Sequence, residues 1–172
     1  MPESSAFSDA ERSLFSLAQI QHLMRVEFNR AGRYSYPIVC MIIAIDRLGH
    51  LRDLYGYEAK EELLESVVSL LKSETRSSDF LGRMADDRLL AVVPHTPPDG
   101  AQLLAGRLLG GVSGLDFESE GRTIQITLSI GISHNEGGET LFFDAMLQSA
   151  ESALSDAMTA GGDRIAMREP GS

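Results

Sequence analysis

Asp86 and Asp87, two adjacent carboxylates followed at once by the cation of Arg88, lie between the apolar runs Phe80-Leu81 and Leu89-Leu90-Ala91-Val92-Val93. Paired carboxylates at a turn offer oxygen ligands to a hard divalent cation. Arg88 can equally cancel their charge, and a partly self-neutralised turn is the simpler reading. An Asp-Asp pair between apolar runs signals a two-residue hairpin turn, though less strongly than Asn-Gly. The other metal-ligating residue types are dispersed. His22, His50, His95 and His134 fall on different elements without ligand spacing, and the single cysteine, Cys40, sits inside an apolar run and reads as a core residue. No metal site and no cofactor are expected.

The formal net charge of the 172 residues is -10, and no Lys/Arg-rich run interrupts it. Nucleic-acid binding needs a basic footprint, so it is not expected. An anionic ligand would have to find a local group of arginines. The longest apolar run, Ile38 to Ile45, is far short of the ~20 residues of a membrane helix, and the polar start resembles no signal peptide, so a cytoplasmic protein without membrane insertion is expected. The length suits one domain. Its expected bounds are 8–168, with flexible ends at 1–7 and 169–172.

The elements that must position these residues follow from periodicity. Ser8-Asp9-Ala10-Glu11 reads as a capping box, with Leu14, Leu17, Ile20, Met24 and Phe28 at helical spacing to about Ala31. Ile38 to Ile45 is too short for a helix and rich in β-branched residues, which predicts a strand buried on both faces. A short helical turn at Leu48 to Tyr55 precedes a long helix carrying Ala59, Leu63, Leu64, Val67, Leu70 and Leu71. After the hairpin, Thr96 reads as an N-cap before a proline at the first helical position, and Gly110-Gly111 as the stop. Thr123 to Ser133 alternates as one strand. Thr140 reads as the cap of a last helix ending at Gly161-Gly162, and Arg164 to Met167 as a short final strand. The core order is strand, helix, strand, strand, helix, strand, the split βαβ pattern. It predicts an α/β (α+β) fold of ferredoxin or palm type, with a mostly antiparallel sheet covered by helices.

In order and spacing, several stretches resemble the GGDEF domain of diguanylate cyclases over nearly the whole chain. They are Glu27 to Pro37, Ile43-Ala44-Ile45-Asp46, Asp53-Leu54-Tyr55-Gly56, Arg83 with the hairpin to Pro94, Leu128 to Ser133, and Ala150 to Leu154. The resemblance implies an enzyme that joins two GTP molecules into cyclic di-GMP across a homodimer, with carboxylates holding divalent metals. Here the signature stands as Ala85-Asp86-Asp87-Arg88-Leu89, and the first-strand Asp-x-Asp as Ala44-Ile45-Asp46. A methyl thus replaces one metal-binding carboxylate and a guanidinium another. Leu48-Gly49 stands for the family's Phe-Lys, Arg52 for its guanine-reading asparagine, Glu61 for a second guanine-reading acid, and Met158 and Gly162 for two phosphate-binding cations. The expectation from these losses is that the chain is not an enzyme. Gly161-Gly162-Asp163 only mimics the signature and reads as a helix C-cap.

The same resemblance implies a second site. Many family members carry a product-binding inhibitory Arg-x-x-Asp five residues before the signature, and Arg76-Ser77-Ser78-Asp79 has that offset from Ala85; Arg107, on the helix after the hairpin, is the third candidate. A guanidinium suits phosphate and the guanine O6/N7 edge, and a carboxylate accepts from guanine N–H groups. Arg76 also suits a helix C-terminus, and Asp79 a turn. The leading expectation is a receptor or effector that binds cyclic di-GMP through Arg76, Asp79 and Arg107, as a homodimer or with a protein partner. Its rivals are a nucleotide-independent interaction or dimerisation module, and a domain that binds GTP without turning it over.

Overall fold

The computed structural model describes residues 14–119, 121–135 and 142–169. A two-residue strand β1 (Phe15–Ser16) leads into helix α1 (Leu17–Tyr34). The expected start of that helix near Ser8 lies outside the described residues. Within them the cap is Ser16, whose hydroxyl accepts from the Gln19 N–H while the Gln19 side chain accepts from Ser16 N–H, a reciprocal box that sets the start at Leu17. Strand β2 (Ile38–Ile45), helix α2 (Leu48–Tyr55), helix α3 (Tyr57–Glu74) and strands β3 (Phe80–Arg83) and β4 (Leu89–Pro94) follow. Then come helix α4 (Pro98–Ser113), strands β5 (Phe117–Ser119), β6 (Arg122–Ile124) and β7 (Leu128–His134), helix α5 (Phe143–Thr159) and strand β8 (Arg164–Arg168).

The main sheet runs β1-β3-β4-β2-β7-β8, so the most apolar strand is central, as its composition predicts. The three inner pairings, β3–β4, β4–β2 and β2–β7, are antiparallel; the flanking pairings with β1 and β8 are parallel. Every residue of β2 is buried. Its alternate side chains explain why: Val39, Met41, Ile43 and Ile45 join a core with α3 and α4, whereas Ile38, Cys40, Ile42 and Ala44 join one with α1 and α5. At roughly 1.5–3 kcal/mol for each fully buried large aliphatic side chain, this strand contributes to both layers at once.

Several local expectations change. The hairpin tip is a three-residue loop, not a two-residue turn: Met84 N–H donates to the Arg88 carbonyl at 2.8 Å, and Asp87 takes a left-handed conformation with φ of 66°. Thr96 is not the cap of α4; Pro97 holds that position with Pro98 at the start of the helix, and the Thr96 hydroxyl is engaged by Arg76. Helix α4 passes through Gly110-Gly111 to Ser113; a Cβ on Gly111 would come within 2.8 Å of Leu70, so this glycine serves contact between helices and is not a stop. Finally, Thr123 to Ser133 is not one strand. Residues 122–124 pair with β5 in a separate two-stranded sheet, and the ladder with β2 begins only at Thr127, whose carbonyl accepts from Asp46 N–H in the register of β2 and β7. The last helix is capped at Phe142; Thr140 lies outside the described residues.

Candidate functional site

The hairpin tip is built against helix α3. Lys60 occupies a position of the buried stripe that continues through Leu63, Leu64, Val67 and Leu71. Its stem is packed and its ammonium emerges at the loop, 2.8 Å from Asp87 Oδ2 and 4.6 Å from the centre of the Tyr57 ring. Arg83, at the end of β3, reaches Asp87 Oδ1 at 2.7 Å and both Glu61 oxygens at 3.3 Å. Lys60 and Glu61 are 3.5 Å apart. Two cations and two carboxylates therefore close on one another. Burial pushes the Asp87 carboxyl up, but the hydrogen bonds from Lys60 and Arg83 together outweigh it and hold the group below its ordinary value. Glu61 is likewise lowered, first by a hydrogen bond from Tyr57 and then by Arg83 against a burial effect.

Arg88 does cancel a carboxylate, and the partner is Asp86, at 2.6 Å from its Nε; its other end lies 3.9 Å from Glu151. Asp86 and Asp87 thus point to different cations. Ala85 is exposed at the tip, and Ala44 is buried on β2. Asp46 acts as a brace, since its carboxylate accepts from Thr127 Oγ1 and Ser129 Oγ, each at 2.6 Å, and from the Asp163 N–H at 2.9 Å. It thereby joins the end of β2 to β7 and to the turn after α5. That turn confirms Gly161-Gly162-Asp163 as a helix end, with the Gly162 N–H on the Ala157 carbonyl at 3.0 Å. Among the described residues no three His, Cys, Asp or Glu side chains gather as ligands. The carboxylates of the tip and of Asp46 are already satisfied by cations, hydroxyls and an amide, so this donor set does not fit a divalent ion as it stands.

The second candidate site lies where α3 ends and β3 begins. Arg76 and Asp79 are brought together: the Arg76 N–H donates to Asp79 Oδ2 at 2.8 Å, and the Asp79 N–H returns to the Arg76 carbonyl at 3.0 Å. The guanidinium lies 3.6 Å from Asp79 Oδ1, too far for a hydrogen bond, and donates instead to the Pro94 carbonyl at 2.9 Å and Thr96 Oγ1 at 2.8 Å. The Asp79 side chain is 2% exposed, and its Oδ1 has no hydrogen-bond partner. Burial raises its carboxyl above the ordinary value, and the contacts with Arg76 offset only part of that. Arg107 does not touch Asp79. Its Nε donates to Glu74 Oε2 at 2.8 Å, which brings it to the same end of α3, two residues before Arg76.

Sequence reasoning missed Lys60, Arg83 and Glu74 as parts of these clusters. Lys60 was detectable, since a lysine stands where the apolar stripe of α3 calls for a hydrophobe. Nothing in the sequence pairs Glu74 with Arg107, 33 residues apart.

Residues 6–164 match the family model described as "Diguanylate cyclase, GGDEF domain". Diguanylate cyclase DgcM of Escherichia coli K12 is 28% identical over 163 residues, which cover 95% of this chain and 38% of that protein. Diguanylate cyclase DgcP of Pseudomonas aeruginosa is 26% identical over 160 residues, covering 93% of this chain and 24% of its own. The chain therefore spans well under half of these relatives. The crystal structure of the GGDEF domain of DgcB from Caulobacter crescentus, in complex with c-di-GMP, superposes with a TM-score of 0.82 at 16% identity, over 90% of this chain and 91% of that one. This likeness shows the palm-like fold. The expectation that the chain is not an enzyme is overturned by these findings, because relatives matching nearly all of it bear the names of enzymes. Replaced side chains at positions 44, 85, 86 and 88 do not by themselves exclude that activity. No described helix is long and apolar enough to cross a membrane.

Proposed function

The chain belongs to the GGDEF domain family, and from that premise we propose that it is a cyclic di-GMP signalling domain that binds the dinucleotide at Arg76, Asp79 and Arg107 and acts as a receptor in the cytoplasm, as a homodimer or with a protein partner. The observation that carries this reading is Asp79. A buried carboxylate oxygen without a donor is costly, and sites of this kind persist where a partner is supplied from outside. A guanine edge offers N–H donors to such an oxygen. The neighbouring Arg76 guanidinium, 56% exposed, offers a planar fork to phosphate or to guanine O6/N7. The DgcB structure named above, a relative in fold, holds c-di-GMP, and the offset of Arg76-x-x-Asp79 from the hairpin supports the same ligand here.

Calorimetric titration of the chain with cyclic di-GMP tests the reading. Saturable heat is expected with the native protein, with loss of about tenfold or more in affinity in Arg76→Ala, since a buried or charge-assisted contact contributes ~1.5–3 kcal/mol. Absence of heat with the native protein overturns it.

A second reading, an interaction module indifferent to nucleotide, is favoured by Phe142. This ring is 71% exposed at the head of α5, beside a pocket of about 420 Å³ lined by Met24, Arg25, Phe28 and Phe143. Light scattering of native protein and Phe142→Ser, with and without cyclic di-GMP, separates the two. A dimer that ignores the nucleotide and is lost in the variant favours the second.

A further inference from the structure

Both arginines of the candidate cyclic di-GMP site are held by acceptors of the chain itself. Arg76 is turned onto the Pro94 carbonyl and Thr96 Oγ1, and Arg107 onto Glu74. We infer that Glu74 is an internal anion that competes with the ligand for Arg107 and thereby sets the affinity of the site. The inference rests on the reading of Arg76, Asp79 and Arg107 as a cyclic di-GMP site and deepens it.

Glu74 is the last residue of α3. A carboxylate in the last turn of a helix meets the negative end of the helix dipole, an unfavourable place for an acid. It contributes little to the helix there, and its only partner among the described residues is Arg107, at 2.8 Å. Arg107 is 54% exposed and Glu74 29%, so water competes for the pair and it opens readily. A phosphate is a stronger acceptor for the same guanidinium.

Exchange of Glu74 for phosphate carries two penalties. The Arg107–Glu74 pair must break, and the freed carboxylate then stands close to the anionic ligand. Both arise from one negative charge. Removing it while keeping the side chain's shape leaves Arg107 free for the ligand and removes the repulsion. Screening by salt weakens the effect, since the group is partly exposed.

The test is calorimetric titration with cyclic di-GMP of the native chain, Glu74→Gln and Glu65→Gln at low and high ionic strength. Glu65 is exposed on the same helix, and its replacement removes the same charge without touching Arg107. At low salt Glu74→Gln is expected to bind about three- to tenfold more tightly than the native protein, with Glu65→Gln within about twofold. The gain of Glu74→Gln shrinks at high salt. Unchanged or weaker binding by Glu74→Gln, or an equal gain by Glu65→Gln, overturns the inference and leaves the site itself standing. Absence of binding by the native chain and both variants overturns the site and this inference together. Thermal melts accompany the titrations and check that the fold is intact, Glu65 being exposed and Glu74 partly exposed.

Discussion

Lys60 Nζ stands 2.8 Å from Asp87 Oδ2, so the charge opposite the hairpin's left-handed aspartate comes from helix α3. The ammonium is fixed from below by a packed stem, and Arg83 approaches the other carboxylate oxygen from the end of β3. The loop is thus held to the helix layer by ion pairs that the hairpin's own residues do not reveal.

Asp87→Asn tests this clamp. Asparagine tolerates the φ of 66° as aspartate does, so the variant removes charge with little backbone strain. Destabilisation of about 1 kcal/mol in urea is expected, the scale of partly exposed ion pairs. Because Asp87 is held below its ordinary value, its contribution is present above the usual carboxylate range and is lost as pH falls through the lowered value. The gap between native protein and Asp87→Asn should therefore close in acid. A gap that is constant with pH would rule out the clamp.

Asp79 has the opposite sign. Its carboxyl is raised by burial, so the folded chain keeps this proton to higher pH than the unfolded chain does. Stability should fall as pH rises from the ordinary carboxylate range through the raised value. Urea melts across that range should show the fall in the native protein and a flatter profile in Asp79→Asn, with cyclic di-GMP binding lost in the variant. An identical profile in both would show that Asp79 is not the titrating group.

Asp46 yields a prediction about architecture. Its carboxylate satisfies two hydroxyls and one amide, and Ser129 is fully buried. Asp46→Ala leaves those donors unpaired and is expected to cost about 3 kcal/mol, given ~1.5–3 kcal/mol for a hydrogen bond to a charged group. Asp46→Asn, which retains an acceptor, should cost clearly less. Equal losses in chemical denaturation would refute the bracing role.

The sheet was legible in the sequence because its central strand is apolar on both faces and its helices carry regular stripes. Residues 76 and 79 were legible as a pair only through the resemblance, by their offset from the hairpin, and the turn between them brings the two together. Arg107 was placed on the correct helix, but its partner was not foreseeable, since the Glu74 contact depends on how α3 and α4 pack. Asp46 read as a remnant of a metal site, whereas its bonds to Thr127 and Ser129 exist only once β2 and β7 lie side by side. The break after Ile124 was hidden because the alternating isoleucines do face one core, while residues 122–124 pair with β5 and only Thr127 onward pairs with β2.

Gly131 shows how a residue in the Leu128-to-Ser133 stretch acquires its physical reason. It lies on β7 in register with Ile42 on one side and Ala166 on the other, beneath helix α5. A Cβ there would come within 2.3 Å of the Ala150 carbonyl oxygen and the Leu154 nitrogen, both backbone atoms that cannot rotate away. Helix α5 would have to lift from the sheet, drawing Leu154 and Ala150 out of the core they share with β2. Overpacking of a tight core typically costs 1–3 kcal/mol, and contact with fixed backbone puts Gly131→Ala at the upper end, about 3 kcal/mol. The lifted helix also loosens the turn that donates to Asp46, so the loss should be less than additive with that of Asp46→Ala. A double-mutant cycle by urea denaturation measures it, and strict additivity would show that the two contacts fix α5 independently.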